Sequence, residues 1–136
     1  MVRKRMVVAV LLPLVLLISA CAVQKSQAPQ IDPKTATALN IGENLKQLNK
    51  DYMTFFTDVG DAQRRGQLSA SQVATLNSVG HKMKIGLDEA NKVFVTYSST
   101  YDQSLVSQIE GYLFDAAQIY ASLVTTRTQM LTAGGK

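Results

Sequence analysis

Residues 69–97, SASQVATLNSVGHKMKIGLDEANKVFVTY, carry the clearest structural signal in the chain. Their apolar residues recur at alternating steps of three and four, which places them on one face of an α-helix. Ser69 and Gln72 have the spacing of a capping box. The stretch therefore predicts a helix over 70–98 that breaks at Ser98-Ser99-Thr100. Its apolar seam is Val73, Leu76, Gly80, Met83, Leu87, Ala90, Phe94 and Tyr97.

A similar pattern precedes this stretch. Asp32-Pro33 is typical of a helix start, because aspartate caps free amide groups and proline fits the first helical position. Arg64 and Arg65 suit the negative end of the helix dipole, and Gly66 is typical of a C-terminal stop. A first helix is predicted over 33–65. Its seam is Ala38, Ile41, Leu45, Leu48, Tyr52, Phe55, Val59 and Ala62.

A third helix is predicted over 101–132. Thr100 and Gln103 repeat the capping-box spacing, and residues 134–136 are expected to fray. The seam has a polar residue, Thr126, at one expected apolar position. Its apolar members are Leu105, Ile109, Tyr112, Ala116, Ile119, Leu123 and Met130.

The three helices predict an all-α fold. Since the connections are only a few residues long, neighbouring helices are expected to be antiparallel. The sequence thus favours an elongated up-down-up three-helix bundle over 33–133. The alternative is a helical hairpin whose third helix packs in an oligomer. No long strand-like alternation competes, and Lys92–Tyr97 is the most β-prone stretch.

The first twenty residues have a different character. A positive cluster, Arg3-Lys4-Arg5, precedes an uncharged run from Met6 to Ile18, and then come Ser19, Ala20 and Cys21. This order of basic start, apolar stretch and small residues is typical of a secretory signal that is cleaved. The uncharged run extends to about Val23, so an uncleaved membrane anchor is the alternative.

Ile18-Ser19-Ala20-Cys21 resembles the lipobox of bacterial lipoproteins. The resemblance covers residues 1–21 and implies cleavage between Ala20 and Cys21, with lipid on the Cys21 sulfur and acylation of the new amino terminus. Lipid there would anchor the chain to a membrane. In the enteric bacteria, aspartate after the cysteine favours the inner membrane, so Ala22 favours the periplasmic side of the outer membrane.

Residues 22–32 after the lipidation site are polar, with Pro29 among them, and are expected to form a flexible tether about 35 Å long at most. Loss of residues 1–20 removes three of the fourteen basic residues and leaves eleven against ten acidic ones. The initial net charge of +4 therefore belongs mainly to the signal, and nucleic acid is not an expected partner.

The sequence offers little catalytic chemistry. One cysteine excludes an internal disulfide and paired-cysteine zinc sites. His81 is the only histidine and is expected to be partly exposed. Carboxylates such as Asp58 and Asp61 are expected to lie on solvent-exposed helix faces, without the cleft that general acid–base catalysis needs. No nucleophile elbow or glycine-rich phosphate loop is present. We therefore predict no enzyme, no metal and no cofactor.

The third helix carries a second apolar stripe beside its seam: Val106, Leu113, Ala117, Tyr120, Val124 and Leu131. Either this helix is deeply buried, or part of the stripe is a contact surface for a partner. Phe114 points away from both stripes and is a candidate exposed anchor for a partner. Met53 and Phe56 flank the seam of the first helix in a similar way. The candidate partner face comprises Val106, Leu113, Phe114, Tyr120 and Val124.

Gly80 occupies a seam position in the second helix. It either allows a close helix approach, under Tyr112 or Phe55, or softens the helix locally.

These features predict a lipid-anchored protein of the cell envelope that acts by binding or scaffolding. The expected partner is an envelope protein or a second copy of the chain. The alternative function is an inhibitor, immunity or phage-exclusion lipoprotein that regulates an envelope process.

Overall fold

A computed structural model of the protein describes residues 31–133. The predicted signal at 1–20, Cys21, the tether up to residue 30 and the tail at 134–136 lie outside the described residues. The first helix, α1, is Pro33–Arg64. The Asp32 carboxylate accepts a hydrogen bond from the amide of Thr35 at 3.3 Å, so the predicted start is confirmed.

Helix α1 ends where Gly66 predicts it should. Gly66 has a positive φ of 71°, which costs glycine little. Its amide bonds the carbonyl of Gln63, and the amide of Gln67 bonds that of Ala62, each at 2.9 Å. This pair of bonds is a Schellman motif, which satisfies carbonyls at the helix end. The next residue, Leu68, is buried in the core.

The second helix, α2, is Ala70–Thr100, and its predicted capping box is confirmed. The amide of Gln72 bonds the Ser69 hydroxyl at 3.2 Å, and the Gln72 side chain accepts from the Ser69 amide at 2.8 Å. The helix continues through the Ser98-Ser99-Thr100 stretch that was expected to break it. The hydroxyls of these residues bond carbonyls one turn back, at Val95 and Thr96, so they remain compatible with helix.

The second junction differs from the predicted Thr100–Gln103 capping box. Tyr101 ends α2 in the left-handed conformation, with φ of 52°, and is the only non-glycine residue with positive φ in the described chain. Asp102 then accepts from the amide of Ser104 at 2.9 Å and starts a 3-10 helix, Gln103–Leu105. The third helix, α3, is Val106–Ala133. Asp102 provides the cap in place of Thr100, whose hydroxyl donates to the carbonyl of Thr96 instead.

The three helices pack around one core, which confirms the all-α bundle. The seam residues of each helix are buried or half-buried. An ideal Cβ on Gly42 of α1 would lie 3.3 Å from Phe94 of α2, near the start of α1 and the end of α2, so these helices are antiparallel. The rings of Phe55 on α1 and Tyr120 on α3 lie 6.2 Å apart. The α2–α3 interface is the most extensive and the α1–α3 interface the least.

Candidate functional site

The residues predicted to form a partner face on α3 differ in their exposure: some are buried or half-buried, and others are exposed. Leu113 is only 8% exposed and belongs to the core, and Val106 and Tyr120 are half-buried against that core. Leu113 therefore does not belong to an exposed face, while Val106 and Tyr120 are partly accessible. Helix α1 lies beside two of these residues: Leu113 lines a groove with Leu48 of α1, and the Tyr120 ring packs edge-on against Phe55.

Two members of the face remain accessible. Phe114 is 64% exposed and Val124 is 36% exposed. Met53 on α1 is also exposed, as expected. Phe56 is not, because its ring packs into the space beside Gly80. The close approach at Gly80 is thus confirmed, but its partner is Phe56 and neither Tyr112 nor Phe55.

Phe114 forms one wall of a groove between α1 and α3, with a volume of about 380 Å³. We call it the α1–α3 groove. It lies between the two helices that contact each other least. Its size is near the lower end of the range in which proteins enclose ligands or inserted side chains. It is lined by Asn44, Gln47, Leu48, Leu113, Phe114 and Ala117.

The groove is lined by four apolar side chains and two side-chain amides. None of its lining residues is charged, and none is a nucleophile or a general base. The Gln47 side chain donates a hydrogen bond to Asp51 at 2.7 Å, which orients the amide at the groove edge. Such a surface can bind an apolar side chain and offer hydrogen bonds to a backbone. It has no groups to carry out bond-making steps.

Arg127 joins the same two helices further along the bundle. Its guanidinium lies 3.3 Å from the Asp58 carboxylate and 5.2 Å from the centre of the Phe55 ring. Its Nε is buried without a hydrogen-bond partner among the described residues. This is the one ion pair between helices in residues 31–133. The contact holds α3 against α1.

The other titratable residues do not converge. His81 is exposed on α2, as expected, while Asp61 pairs with Arg64 and Asp58 pairs with Arg127. Within residues 31–133 no group of histidine, cysteine and carboxylate side chains could hold a metal ion. The hydroxyl and amide of Ser104 lower the pKa of the Asp102 carboxyl, and a hydrogen bond from Lys92 to Glu89 raises the pKa of Lys92. Both shifts come from local contacts on exposed side chains.

Sequence reasoning missed the α1 side of the groove. Leu48 belongs to the first seam, whereas Asn44 and Gln47 lie beside it, and the only available signal was this pair of amides next to apolar positions. The predicted lipidation site, Cys21, and the predicted cleavage site after Ala20 lie outside the described residues.

Comparison with known protein families, with curated proteins and with solved structures finds no match to this chain. Among the helices of the described part, none has both the length and the apolar character that crossing a membrane requires.

Proposed function

We propose that the protein is a lipid-anchored binding module of the bacterial cell envelope, without catalytic activity. Lipid on Cys21 would hold the bundle at one membrane leaflet, on the periplasmic side of the outer membrane. The α1–α3 groove would then bind a neighbouring envelope protein. Anchoring raises the effective concentration of the module for a partner in the same membrane.

The observation that carries this proposal is the exposure of Phe114 beside an uncharged groove. A phenylalanine that is 64% exposed leaves a large apolar ring in water. Rings of this kind next to a pocket are typical of protein contact surfaces, where aromatic anchors supply much of the binding energy. The adjacent Asn44 and Gln47 amides can satisfy polar groups of a partner at the edge of the contact.

The lipobox supports the membrane part of the proposal. The basic cluster, the apolar run, the small residues and the cysteine have the expected order within residues 1–21. Two or more acyl chains give stable anchoring, since each buried methylene contributes about 0.8 kcal/mol.

Photo-crosslinking in intact envelopes tests the binding surface. A photoreactive phenylalanine derivative at position 114 should give one defined adduct, whereas the same group at Ile85, an exposed aliphatic position on α2, should not. The adduct should disappear when Ala117→Glu places a charge in the groove. An adduct of equal yield from both positions, or one that survives Ala117→Glu, contradicts the proposed surface. An adduct of twice the chain mass identifies a second copy as the partner.

Fractionation tests the anchor. Cys21→Ser should move the protein out of the membrane fraction and abolish incorporation of labelled palmitate. A matched control combines Cys21→Ser with Ser26→Cys, which keeps one thiol but moves it out of the lipobox. It should behave like Cys21→Ser alone. If Cys21→Ser stays in the membrane, residues 6–23 are an uncleaved anchor.

A further inference from the structure

The start of α1, the end of α2 and the residues between α2 and α3 lie at one end of the bundle. We call it the tether end, because residues 22–30 precede α1 in the sequence. Contacts hold these parts together. The Tyr97 hydroxyl on α2 donates to the carbonyl of Lys34 on α1 at 3.4 Å, and the Gln103 side chain donates to the same hydroxyl at 3.3 Å.

Three of the eight exposed large hydrophobic residues in the described chain lie at this end of the bundle. Leu39 and Val95 lie close to the level at which Gly42 meets Phe94. Tyr101 directly follows α2. All three are between 39% and 59% exposed.

The opposite end has a different surface. The described turn between α1 and α2 exposes Arg65, Gly66 and Gln67, and its large apolar residue, Leu68, is buried. The bundle is therefore asymmetric along its axis, with apolar side chains exposed at the tether end and polar ones at the α1–α2 turn.

We propose that the tether end rests on the lipid bilayer, with Leu39, Val95 and Tyr101 in the headgroup region. This inference rests on the proposed lipid anchor at Cys21. Only nine residues, 22–30, separate that cysteine from Ile31, and extended chain spans about 3.1 Å per residue. The anchor therefore keeps this end within about 30 Å of the bilayer surface.

The depth of the patch matches the membrane interface. Leu39 lies six residues into α1, about 9 Å from its start, and Val95 lies five residues, about 7.5 Å, from the end of α2. Apolar side chains of interfacial helices enter the headgroup and acyl boundary by about 5–10 Å.

The position and character of Tyr101 fit a membrane interface. Its left-handed position at a helix end is usually taken by glycine, but here it presents an aromatic ring that packs edge-on against Tyr97 at 5.9 Å. Tyrosine is enriched where membrane and water meet, because its ring is apolar and its hydroxyl polar. The twelve residues of each helix nearest this end, with the residues that flank them, carry more acidic than basic side chains. The basic ones are Lys34 and Lys92, and the acidic ones are Asp32, Glu43, Glu89, Asp102, Glu110 and Asp115. The contact should thus rest on apolar burial and should weaken when anionic lipid is added.

The absence of tryptophan from the sequence makes a clean test available. Val95→Trp places a single reporter in the patch, and Ile85→Trp places a matched one on α2, about 15 Å further from the tether end. Both native side chains are at least half exposed, so both substitutions should be tolerated. Each full chain is purified from membranes and reconstituted in vesicles of phosphatidylethanolamine with brominated acyl chains.

The bromines should quench the tryptophan of Val95→Trp several-fold more strongly than that of Ile85→Trp, and the ratio should fall when phosphatidylglycerol, an anionic lipid, is added. Tyr101→Trp provides a second reporter with the same expected result. Equal quenching at 95 and 85, with lipid confirmed on Cys21 by mass, overturns this inference and leaves the proposed function intact. A preparation without lipid on Cys21 overturns both.

Discussion

Phe56 of α1 fills the space that a side chain at Gly80 of α2 would occupy. An ideal Cβ on Gly80 would overlap Cζ of the Phe56 ring and lie 2.5 Å from its Cε2. Phe56 also packs against Tyr52 and Phe55, with ring centres 4.8 and 5.1 Å away, so the ring has neighbours that limit its movement. The missing side chain at Gly80 is therefore what allows this cluster to contact α2 closely.

Gly80→Ala should destabilise the bundle. Alanine favours the helix by about 1 kcal/mol, but displacing a packed ring costs about 1–3 kcal/mol. We expect a net loss of about 1 kcal/mol in the free energy of unfolding, measured by urea titration with circular dichroism.

Gly111→Ala is the matched control, because nothing lies within 4 Å of its ideal Cβ on α3. It should stabilise the protein by up to about 1 kcal/mol. Combining Gly80→Ala with Phe56→Ala should cost less than the sum of the single changes. An additive double mutant would show that Phe56 does not occupy the Gly80 space.

Leu113 and Phe114 are neighbours in sequence but should respond differently to truncation. Leu113→Ala removes a core side chain and should cost about 2–3 kcal/mol of unfolding free energy. Phe114→Ala removes a mostly exposed ring and should change stability by less than about 0.5 kcal/mol, while abolishing the crosslinked adduct formed from a photoreactive group at Ala117. Similar losses of stability for the two variants would show that Phe114 is part of the core.

The Arg127 contact should depend more on packing than on charge. Asp58 is more than half exposed, so Asp58→Asn should cost less than about 1 kcal/mol. Arg127→Ala also removes the stem and guanidinium from the Phe55 ring and should cost about 1–2 kcal/mol. Arg64→Ala, which breaks an exposed pair with Asp61, should have almost no effect on the denaturation midpoint. A larger loss for Asp58→Asn than for Arg127→Ala would contradict this account.

Asp102 should contribute to acid sensitivity. Hydrogen bonds from Ser104 lower the pKa of its carboxyl below the ordinary value of 3.8. As the pH falls, the Asp102 carboxyl therefore becomes protonated in the unfolded chain before it does in the folded one. Its contribution to the free energy of unfolding is complete above pH 3.8 and is lost as the pH falls through the folded-state pKa. Ser104→Ala should raise the pKa of Asp102 in an NMR titration, whereas Ser107→Ala should not. An unchanged pKa in Ser104→Ala would contradict the assigned cause.

Local rules predicted much of the fold from the sequence. Asp32-Pro33, Gly66 and the Ser69–Gln72 box determine where helices begin and end through contacts within a few residues, so their roles were readable. The second junction was not, because Thr100 and Asp102 compete for the cap and Tyr101 adopts a conformation that its residue type does not favour.

The candidate site was less predictable because it depends on how the helices face each other. Leu113 and Val124 belong to the same stripe of α3, and only the position of α1 makes one buried and the other accessible. Asn44 and Gln47 line the groove only because α1 lies beside α3 in this arrangement. The partner of Gly80 likewise follows from helix register, which places Phe56 there in place of its neighbour Phe55.

Intact mass spectrometry of the protein extracted from membranes determines whether the chain is a lipoprotein. We expect a chain that begins at Cys21 and carries the added mass of a diacylglyceryl group and an amino-terminal acyl chain. A chain that retains residues 1–20, or one cleaved without added lipid, would contradict it.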